Sequence, residues 1–383
     1  MISEEHRYPC GQCGAELRFA PGVTKLKCGH CGFEQAIAEE DATADAGQNA
    51  GPWAKPKPAR GPKRFEELPL AQGLSNDLPA TASTEVRATK CPNCGAQVQF
   101  DGASHSKECP FCASPVVVDT GSERKLKPQA VLPFQLDEKT AHKAMLDWLG
   151  SLWFAPNGLL QYTRAGRAMN GVYVPYWTFD AETETDYRGQ RGDAYYETRT
   201  VTVNVNGRNE QRQEQVRKIR WHNVRGHVAR DFDDVLAIAA TSLPVNLADH
   251  LEPWDLSLLE PYRPDYLAGF QAEGYTVALA DGHSTAQAKM ERIIEGDIRR
   301  DIGGDEQRID GMDVDWRDET FKHILLPIWM AAYKYNGKSY RFLVNGQTGE
   351  VQGERPWSVW KIAFAVLGVA VVAGVGYYLS QNS

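Results

Sequence analysis

The cysteines of this 383-residue chain form two copies of one pattern. In each copy, two Cys-x2-Cys pairs are separated by 14 residues. A tight turn lets the two sulfurs of one pair face the same ion while a second turn supplies the other two, which is typical of a tetrahedral zinc site. The sequence therefore predicts two zinc ions per chain, with Cys10, Cys13, Cys28 and Cys31 as the first set of ligands and Cys91, Cys94, Cys109 and Cys112 as the second.

Both cysteine sites are expected to be structural rather than catalytic. Four thiolates complete the coordination of zinc and leave no position open for water or substrate. The surrounding segments, residues 1–36 and 87–120, are too short to build a core of their own. We interpret them as zinc ribbons, each held by its own ion through roughly 10–16 kcal/mol of apparent binding energy. Rubredoxin-like iron and disulfide bonds are the alternatives, since both use the same residues.

The composition of residues 128–354 predicts a separate folded domain. Asp137 can cap a helix with one apolar face, and Ser284 with Gln287 resembles the capping box of a second helix that ends at Gly303-Gly304. Segments rich in aromatic and β-branched residues predict strands, and they include Tyr173 to Phe179, Thr198 to Val205 and Ile324 to Tyr335, with a hairpin turn at Asn336-Gly337. We expect an α+β domain built on antiparallel sheet.

Two short aromatic segments of this domain resemble each other. Val174-Pro175-Tyr176-Trp177 and Leu326-Pro327-Ile328-Trp329 each lead into a strand. We interpret them as related sheet elements whose tryptophans belong to the core. The alternative is a pair of aromatic pockets for a partner peptide.

Residues 37–86 predict a disordered linker between the two ribbons. They are rich in Ala, Pro, Gly and charged residues, and Trp53 and Phe65 are their only aromatics. Such a composition buries too little apolar surface to offset the entropy of ordering. The basic run from Lys55 to Arg64 is read as solvated, with a weak contact to acidic lipid or nucleic acid as the alternative.

The C-terminal segment predicts a membrane anchor. Ile362 to Leu379 contains no charged residue, and as a helix it would span about 27 Å, close to the hydrocarbon core of a bilayer. We therefore place a transmembrane helix at residues 358–379 and an external tail at 380–383. Arg355 and Lys361 precede the helix and no basic residue follows it, so the positive-inside rule places the body of the chain in the cytoplasm. Zinc-bound thiolates also suit a reducing compartment.

Charge and motif content argue against other classes of function. The net charge is −8, and the cations and acids of the first ribbon balance, which disfavours nucleic acid as a partner. No Walker A loop, nucleophile elbow, zinc-protease helix or dinucleotide loop is present, so an enzyme and a small-molecule substrate have no positive support. His222 and His227 are interpreted as ordinary histidines, and the aspartates at 310, 313, 315 and 318 as a solvated turn, because their spacing does not fit an EF-hand.

Several of these features together resemble a family of bacterial membrane-anchored, TFIIB-type zinc-ribbon proteins, some of which are labelled primosomal-helicase-like. The resemblance is carried by the paired ribbons, the terminal apolar helix, Leu132-Pro133-Phe134, the two aromatic segments and Asn345-Gly346-Gln347-Thr348-Gly349. It implies a location at the bacterial inner membrane and partners such as phage-shock-type or flotillin-like membrane proteins. The helicase label conflicts with the missing Walker A loop.

From the sequence we expect a tail-anchored scaffold or adaptor, not an enzyme. It would recruit or organise protein partners at the cytoplasmic face of the inner membrane through its ribbons and its α+β domain. The alternative is a membrane-tethered, replication-related nucleic-acid-binding protein without helicase activity of its own.

Overall fold

The computed structural model describes residues 8–37, 67–75, 77–79, 83–93, 95–99, 106–109, 114–117, 122–152, 169–205, 208–335, 338–354 and 358–381. Cys94 and Cys112, most of the predicted linker and the turn predicted at Asn336-Gly337 lie outside these residues.

The described residues form a mixed α+β structure with mainly antiparallel sheets and an apolar C-terminal helix. The strands are β1 (Leu17–Ala20), β2 (Lys25–Cys28), β3 (Glu34–Ala36), β4 (Leu68–Pro69), β5 (Ser83–Lys90), β6 (Gln97–Gln99), β7 (Ser106–Glu108), β8 (Pro115–Val117), β9 (Ser122–Leu126), β10 (Ala130–Val131), β11 (Asn170–Val205), β12 (Arg208–Ile238), β13 (Glu260–Pro261), β14 (Gln271–Ala272), β15 (Glu306–Tyr335), β16 (Lys338–Asn345) and β17 (Val351–Gly353). The helices are α1 (Leu70–Leu74), α2 (Glu138–Ser151), α3 (Val245–Asp249), α4 (Leu279–Ile302) and α5 (Val359–Gln381).

Three very long strands form the centre of the main sheet. β11 lies between β12 and β15 and is antiparallel to both, whereas the short β10 is parallel to β15. The strands predicted at 173–179, 198–205 and 324–335 are parts of β11 and β15, which continue far beyond these segments.

Both faces of the main sheet are buried at its apolar end. Val172 and Val174 point into one apolar cluster, and the intervening Tyr173 points into another that includes residues of α2. Further along β11, Trp177 and Phe179 join a third cluster, which α4 completes. The period of two along a strand therefore supplies side chains to opposite layers of one domain.

The two predicted helices are present, but the predicted start of the second helix is wrong. Asp137 caps α2 as expected, with its carboxylate accepting the N–H of Thr140 at 2.9 Å. α4 ends at Ile302 and is followed by Gly303, whose φ of 63° favours glycine. It begins at Leu279, however, so Ser284 is not a capping residue: its hydroxyl donates to the carbonyl of Ala280 inside the helix.

The two aromatic segments are neighbours in the sheet, and their tryptophans belong to the core. Val174 is paired with Leu326 in the register of β11 and β15. Trp177 is fully buried and donates its indole N–H to the carbonyl of Val277 at 3.1 Å; Trp329 donates to the carbonyl of Leu136 at 2.9 Å. These buried rings fill the core instead of forming pockets for a peptide.

The prediction of a disordered linker is wrong for residues 67–75 and 77–79. Leu68 in β4 pairs with Phe321 in β15, and Leu70 at the start of α1 is 3% exposed within the cluster that contains Trp177. Gly73 lies so close to the ring of Phe321 that an added Cβ would come within 2.5 Å of it. A short apolar segment in a polar stretch is thus ordered by packing on the domain.

Candidate metal centre

The first cysteine set has the geometry of a four-cysteine metal site and is compatible with zinc. β1, β2 and β3 form a small antiparallel sheet, and the sulfurs of Cys10, Cys13, Cys28 and Cys31 all lie within 4.8 Å of one another. The sulfur–sulfur distance is 3.5 Å for Cys10 and Cys31 and 3.6 Å for Cys13 and Cys28. A tetrahedron with zinc–sulfur bonds of 2.3 Å has edges of about 3.8 Å, so an ion of this size fits between the four sulfurs.

Backbone hydrogen bonds close both cysteine turns and favour ionisation of the Cys28 thiol. The N–H of Gly14 donates to the carbonyl of Cys10, and that of Gly32 to the carbonyl of Cys28, which closes each turn with its glycine at positive φ. The backbone N–H groups of Cys31 and His30 lower the pKa of the Cys28 thiol to about 6. Because four thiolates repel one another, their joint ionisation requires a positive ion among them.

The first ribbon is docked on the α+β domain. Phe19 is 4% exposed, its ring lies edge-on to Tyr266 at 5.4 Å, and its backbone N–H donates to the carbonyl of Ala268 at 2.9 Å. A second backbone bond runs from the N–H of Gly22 to the carbonyl of Phe134 at 3.0 Å. The ribbon that was expected to fold as a separate unit therefore shares an apolar cluster with the domain.

The docking surface includes residues to which the sequence patterns assign no role. Phe270 stacks on Phe134 with ring centroids 4.3 Å apart, and both belong to the cluster that receives Phe19. Gly269 has φ of 87° and faces the stem of Arg18, which would lie 2.9 Å from an added Cβ. The apolar Tyr-Leu-Ala-Gly-Phe sequence at 266–270 indicates a buried segment, but the sequence alone does not identify what packs against it.

The second cysteine set repeats the backbone turns of the first. Cys91 N–H donates to Ala96 and Gly95 N–H to Cys91, as Cys10 N–H donates to Ala15 and Gly14 N–H to Cys10. The corresponding Cys109 N–H donates to the carbonyl of Ser114 at 2.8 Å. Cys91 and Cys109 are each 1% exposed and share an apolar cluster with residues of the main sheet. Their partners Cys94 and Cys112 lie outside the described residues, so the second site rests on the sequence pattern and on this repeated turn geometry.

A lysine occupies a second cluster of possible metal ligands. Carboxylate oxygens of Asp180, Asp233 and Asp234 lie within 4.8 Å of one another at a bulge between β11 and β12. The ammonium of Lys322, whose side chain is 5% exposed, lies 2.7 Å from Asp234, 3.4 Å from Asp180 and 3.2 Å from Glu67. This cluster already contains its cation. Burial, partly opposed by the N–H of Asp234 and by Lys322, raises the pKa of Asp180 to about 6.

A small pocket contains a buried histidine. It measures about 70 Å³, and Lys125, Glu273, Tyr275 and His323 are among its lining residues. Nδ1 of His323 lies 3.1 Å from the carbonyl of Leu126, and burial lowers the pKa of this imidazole to about 4. The ring is therefore neutral at physiological pH, with its proton on Nδ1 toward that carbonyl.

The remaining candidates of the sequence analysis are surface groups. His222 and His227 are half exposed on β12 and each faces a carboxylate, Asp193 and Asp186 respectively, the latter at 2.9 Å. The four aspartates from 310 to 318 are exposed along β15. The prediction of a turn there is wrong, because the segment is a strand paired with β11.

The C-terminal helix is not covered by the described part of the protein. Residues Ala363–Ser380 have a mean hydropathy of 1.9 and none of this window is buried, so the helix is long and apolar enough to cross a membrane. Trp360 at one end and Tyr377 and Tyr378 at the other are all more than two-thirds exposed. The basic Lys361 precedes the apolar window.

Comparison with known proteins shows similarity to a protein of uncharacterized function. The chain is 25% identical over 243 residues to the uncharacterized protein YdjG of Bacillus subtilis (strain 168), and this region covers 63% of the chain and 67% of the relative. No protein-family model and no solved structure matches the chain. The name of the relative gives no activity.

Proposed function

We propose that this protein is a membrane-anchored adaptor that presents two zinc ribbons and an α+β domain to protein partners at the cytoplasmic face of a bacterial inner membrane. The observation that carries the proposal is the uncovered helix α5. An apolar surface of this length is unfavourable in water and is typical of a segment covered by lipid. The basic residues Arg355 and Lys361 on its N-terminal side favour an orientation with the ribbons in the cytoplasm.

The metal sites support a binding role. A tetrahedral site with four cysteine ligands holds a ribbon in shape and offers no coordination position to a substrate. Zinc in the first site would be held by Cys10, Cys13, Cys28 and Cys31, and we place a second structural zinc at the repeated motif. On the resemblance noted from the sequence, phage-shock-type and flotillin-like membrane proteins are the partners to test first.

The charges of the first ribbon favour protein over nucleic acid as the partner. Lys25 and Lys27 lie 3.3 Å and 3.5 Å from the same carboxylate, that of Glu34, and Arg18 lies against Gly269 at the docking surface. Nucleic-acid binding requires cations that are directed toward phosphates. The described cations of this ribbon are instead engaged within the protein.

Anchoring is tested by extraction of membranes with alkaline carbonate. The intact chain should stay in the membrane, and a chain lacking residues 358–383 should be soluble. A lysine in place of Val369, near the middle of the apolar window, should cost about 2.5–3.5 kcal/mol of insertion and weaken anchoring, whereas alanine at the same position should not. Release of the intact chain by carbonate would refute the anchor. Digestion of the ribbons by protease added to spheroplasts would refute the orientation.

The adaptor role is tested by crosslinking in native membranes followed by mass spectrometry of the purified full-length protein. We expect membrane-associated proteins among the crosslinked partners, with recovery that falls when zinc is removed. Nucleic-acid binding is measured on the same preparation over a range of salt concentrations. Affinity in the range of roughly 10⁻⁴–10⁻⁶ M would be the non-specific background; zinc-dependent binding well below micromolar would support the nucleic-acid alternative.

A further inference from the structure

The hairpin formed by β11 and β12 extends beyond the rest of the domain. We call residues 193–205 and 208–220 the hairpin tip. β15 begins at Glu306, opposite Gly192, and α4 ends at Ile302. From Asp193 onward β11 is paired with β12 alone among the described residues. The tip is therefore a two-stranded ribbon, and such a ribbon is only marginally stable in water unless further strands cover it.

The backbone groups on the free edge of the tip can be assigned from two hydrogen bonds. The N–H of Asp305 donates to the carbonyl of Gly192 at 2.8 Å, and the N–H of Ala194 donates to the carboxylate of Asp305 at 2.7 Å. Hydrogen-bonding direction alternates along a strand, so the N–H and C=O groups of the even-numbered residues of the tip of β11 point away from β12, toward the side on which β15 pairs with the rest of β11. Asp305 binds the first of these positions, and from Tyr196 onward no described strand pairs with this edge. Residues 195–200 are all exposed.

The two edges of the tip differ in composition. The open strand of β11 has the sequence Thr-Arg-Thr-Val-Thr-Val at 198–203, without lysine or proline. The β12 strand carries basic residues throughout, namely Arg208, Arg212, Arg217, Lys218 and Arg220. Charged residues, lysine above all, are the usual protection of a sheet edge against pairing with another chain. The β12 edge has this protection, and the β11 edge has residues that favour a strand.

We propose that the tip pairs with the tip of a second copy of this chain, edge to edge and antiparallel, about a two-fold axis at Thr198. In this register Thr198 exchanges both backbone hydrogen bonds with its equivalent. Glu197 lies opposite Arg199 of the other copy, and Tyr195 lies opposite Val201. The result is a continuous four-stranded sheet in which each copy supplies the same surface.

Charge selects this register over its neighbours. Shifting the axis by one residue places Arg199 opposite itself or Glu197 opposite itself, and like charges directly opposite each other destabilise a sheet. Arg199 is paired with Glu214 of its own chain in the register of β11 and β12. In the proposed dimer each Arg199 therefore lies between this Glu214 and Glu197 of the other copy. This pairing depends neither on the metal nor on the membrane, so it goes beyond the adaptor role.

The test is photo-crosslinking of the purified full-length protein in detergent. With p-benzoylphenylalanine in place of Tyr195, we expect a crosslinked dimer whose crosslinks map to residues 199–203. Thr198→Pro removes an N–H on the open edge and should lower the dimer yield at least about tenfold, because two symmetric hydrogen bonds are lost. Gln215→Pro is the matched control. It lies directly across from Thr198, but its N–H faces the protected edge of β12, so the yield should be unchanged.

A second variant does not disturb the backbone. Arg199→Glu is combined with Glu214→Arg, which restores opposite charges across β11 and β12 of the same chain. The double variant places a carboxylate opposite Glu197 of the other copy and should lower the yield to a similar extent, with far-UV circular dichroism unchanged. Absence of the Tyr195 crosslink, crosslinks mapping outside the tip, or equal yields for Thr198→Pro and Gln215→Pro would each overturn the proposal. Dimers formed only through α5 would not give the Tyr195 crosslink.

Discussion

Replacing Phe19 by alanine should release the first ribbon from the α+β domain without unfolding it. The ring of Phe19 is buried between the ribbon and the domain, where Tyr266 lies at 5.4 Å and Phe270 at 6.3 Å between ring centroids. The cysteine turns, in contrast, are closed by bonds within the ribbon, such as the one from the N–H of Cys28 to the carbonyl of Phe33. The substitution therefore removes docking contacts and leaves the metal ligands in place.

The size of the effect follows from the burial of this ring. A buried Phe→Ala change costs about 3–5 kcal/mol, and the contacts of Phe19 are divided between the ribbon and the domain. Assigning about half of this cost to docking gives about 2 kcal/mol, which shifts the equilibrium between docked and undocked ribbon about 30-fold.

Residue-resolved hydrogen exchange on the zinc-loaded full-length protein measures this shift. The amides of residue 19 and Gly22 donate to carbonyls of the domain, so their exchange reports docking. The amide of Cys28 donates within the ribbon, so its exchange reports ribbon folding. In Phe19→Ala the first two amides should exchange about 30-fold faster while Cys28 changes little. Val23→Ala is the control, since Val23 belongs to the same ribbon but is 50% exposed.

Two results would refute this reasoning. If all three amides lose protection equally, the ribbon has no stability apart from the domain. If the amides of residue 19 and Gly22 stay protected while zinc is retained, the aromatic contacts do not hold the ribbon.

Three further predictions concern the second ribbon, Lys322 and His323. Purified protein should carry two zinc ions per chain, and Cys91→Ser should reduce this number to one. Cys91→Ser should also lower the unfolding temperature of the domain, because Cys91 shares an apolar cluster with the main sheet. An unchanged zinc content by elemental analysis would contradict the prediction. Lys322→Met leaves the neighbouring carboxylates without their cation and should destabilise the fold by about 3 kcal/mol in denaturant titration. Lys218→Met, at an exposed ion pair, is the control and should have no measurable effect. Equal losses of stability would contradict the role of Lys322 as a buried counter-ion. Burial lowers the pKa of His323 to about 4, below the value of about 6.5 in the unfolded chain, so its contribution to stability is complete above pH 6.5 and is lost as the pH falls toward 4. The total loss is about 3 kcal/mol. The stability of His323→Phe, measured by unfolding at a series of pH values, should be less acid-sensitive than that of the unmodified protein, and parallel curves would contradict this.

Local patterns in the sequence identified the elements whose signal is local. The cap at Asp137 and the apolar stripe of α2 were readable because a helix repeats its buried face every three to four residues. The four cysteines of the first ribbon were readable because spacing alone brings their sulfurs together. The start of α4 was placed too late, since Ser284 and Gln287 satisfy a capping pattern that the structure does not use.

Contacts between distant segments could not be read in the same way. Nothing near Phe19 in the sequence indicates its contacts with Tyr266 and Phe270. Leu70 lies in a polar stretch typical of a linker, and its burial depends on the apolar cluster that contains the distant Trp177. Lys322 is buried only because Glu67 and Asp180 come from other elements. The long polar continuation of β11 is not predicted, because the alternation of apolar and polar residues that indicates a strand ends where both faces of the strand are exposed.

Docking of the first ribbon also determines how tightly it can hold its ion. If the metal-bound ribbon binds the domain and the metal-free ribbon does not, the free energy of docking adds to the free energy of metal binding, and the same factor applies in both directions. Loss of about 2 kcal/mol of docking would weaken metal affinity about 30-fold. A chain whose ribbon is held by Phe19 and the two backbone bonds to Ala268 and Phe134 should therefore retain zinc at concentrations that empty the same ribbon once it is separated from the domain.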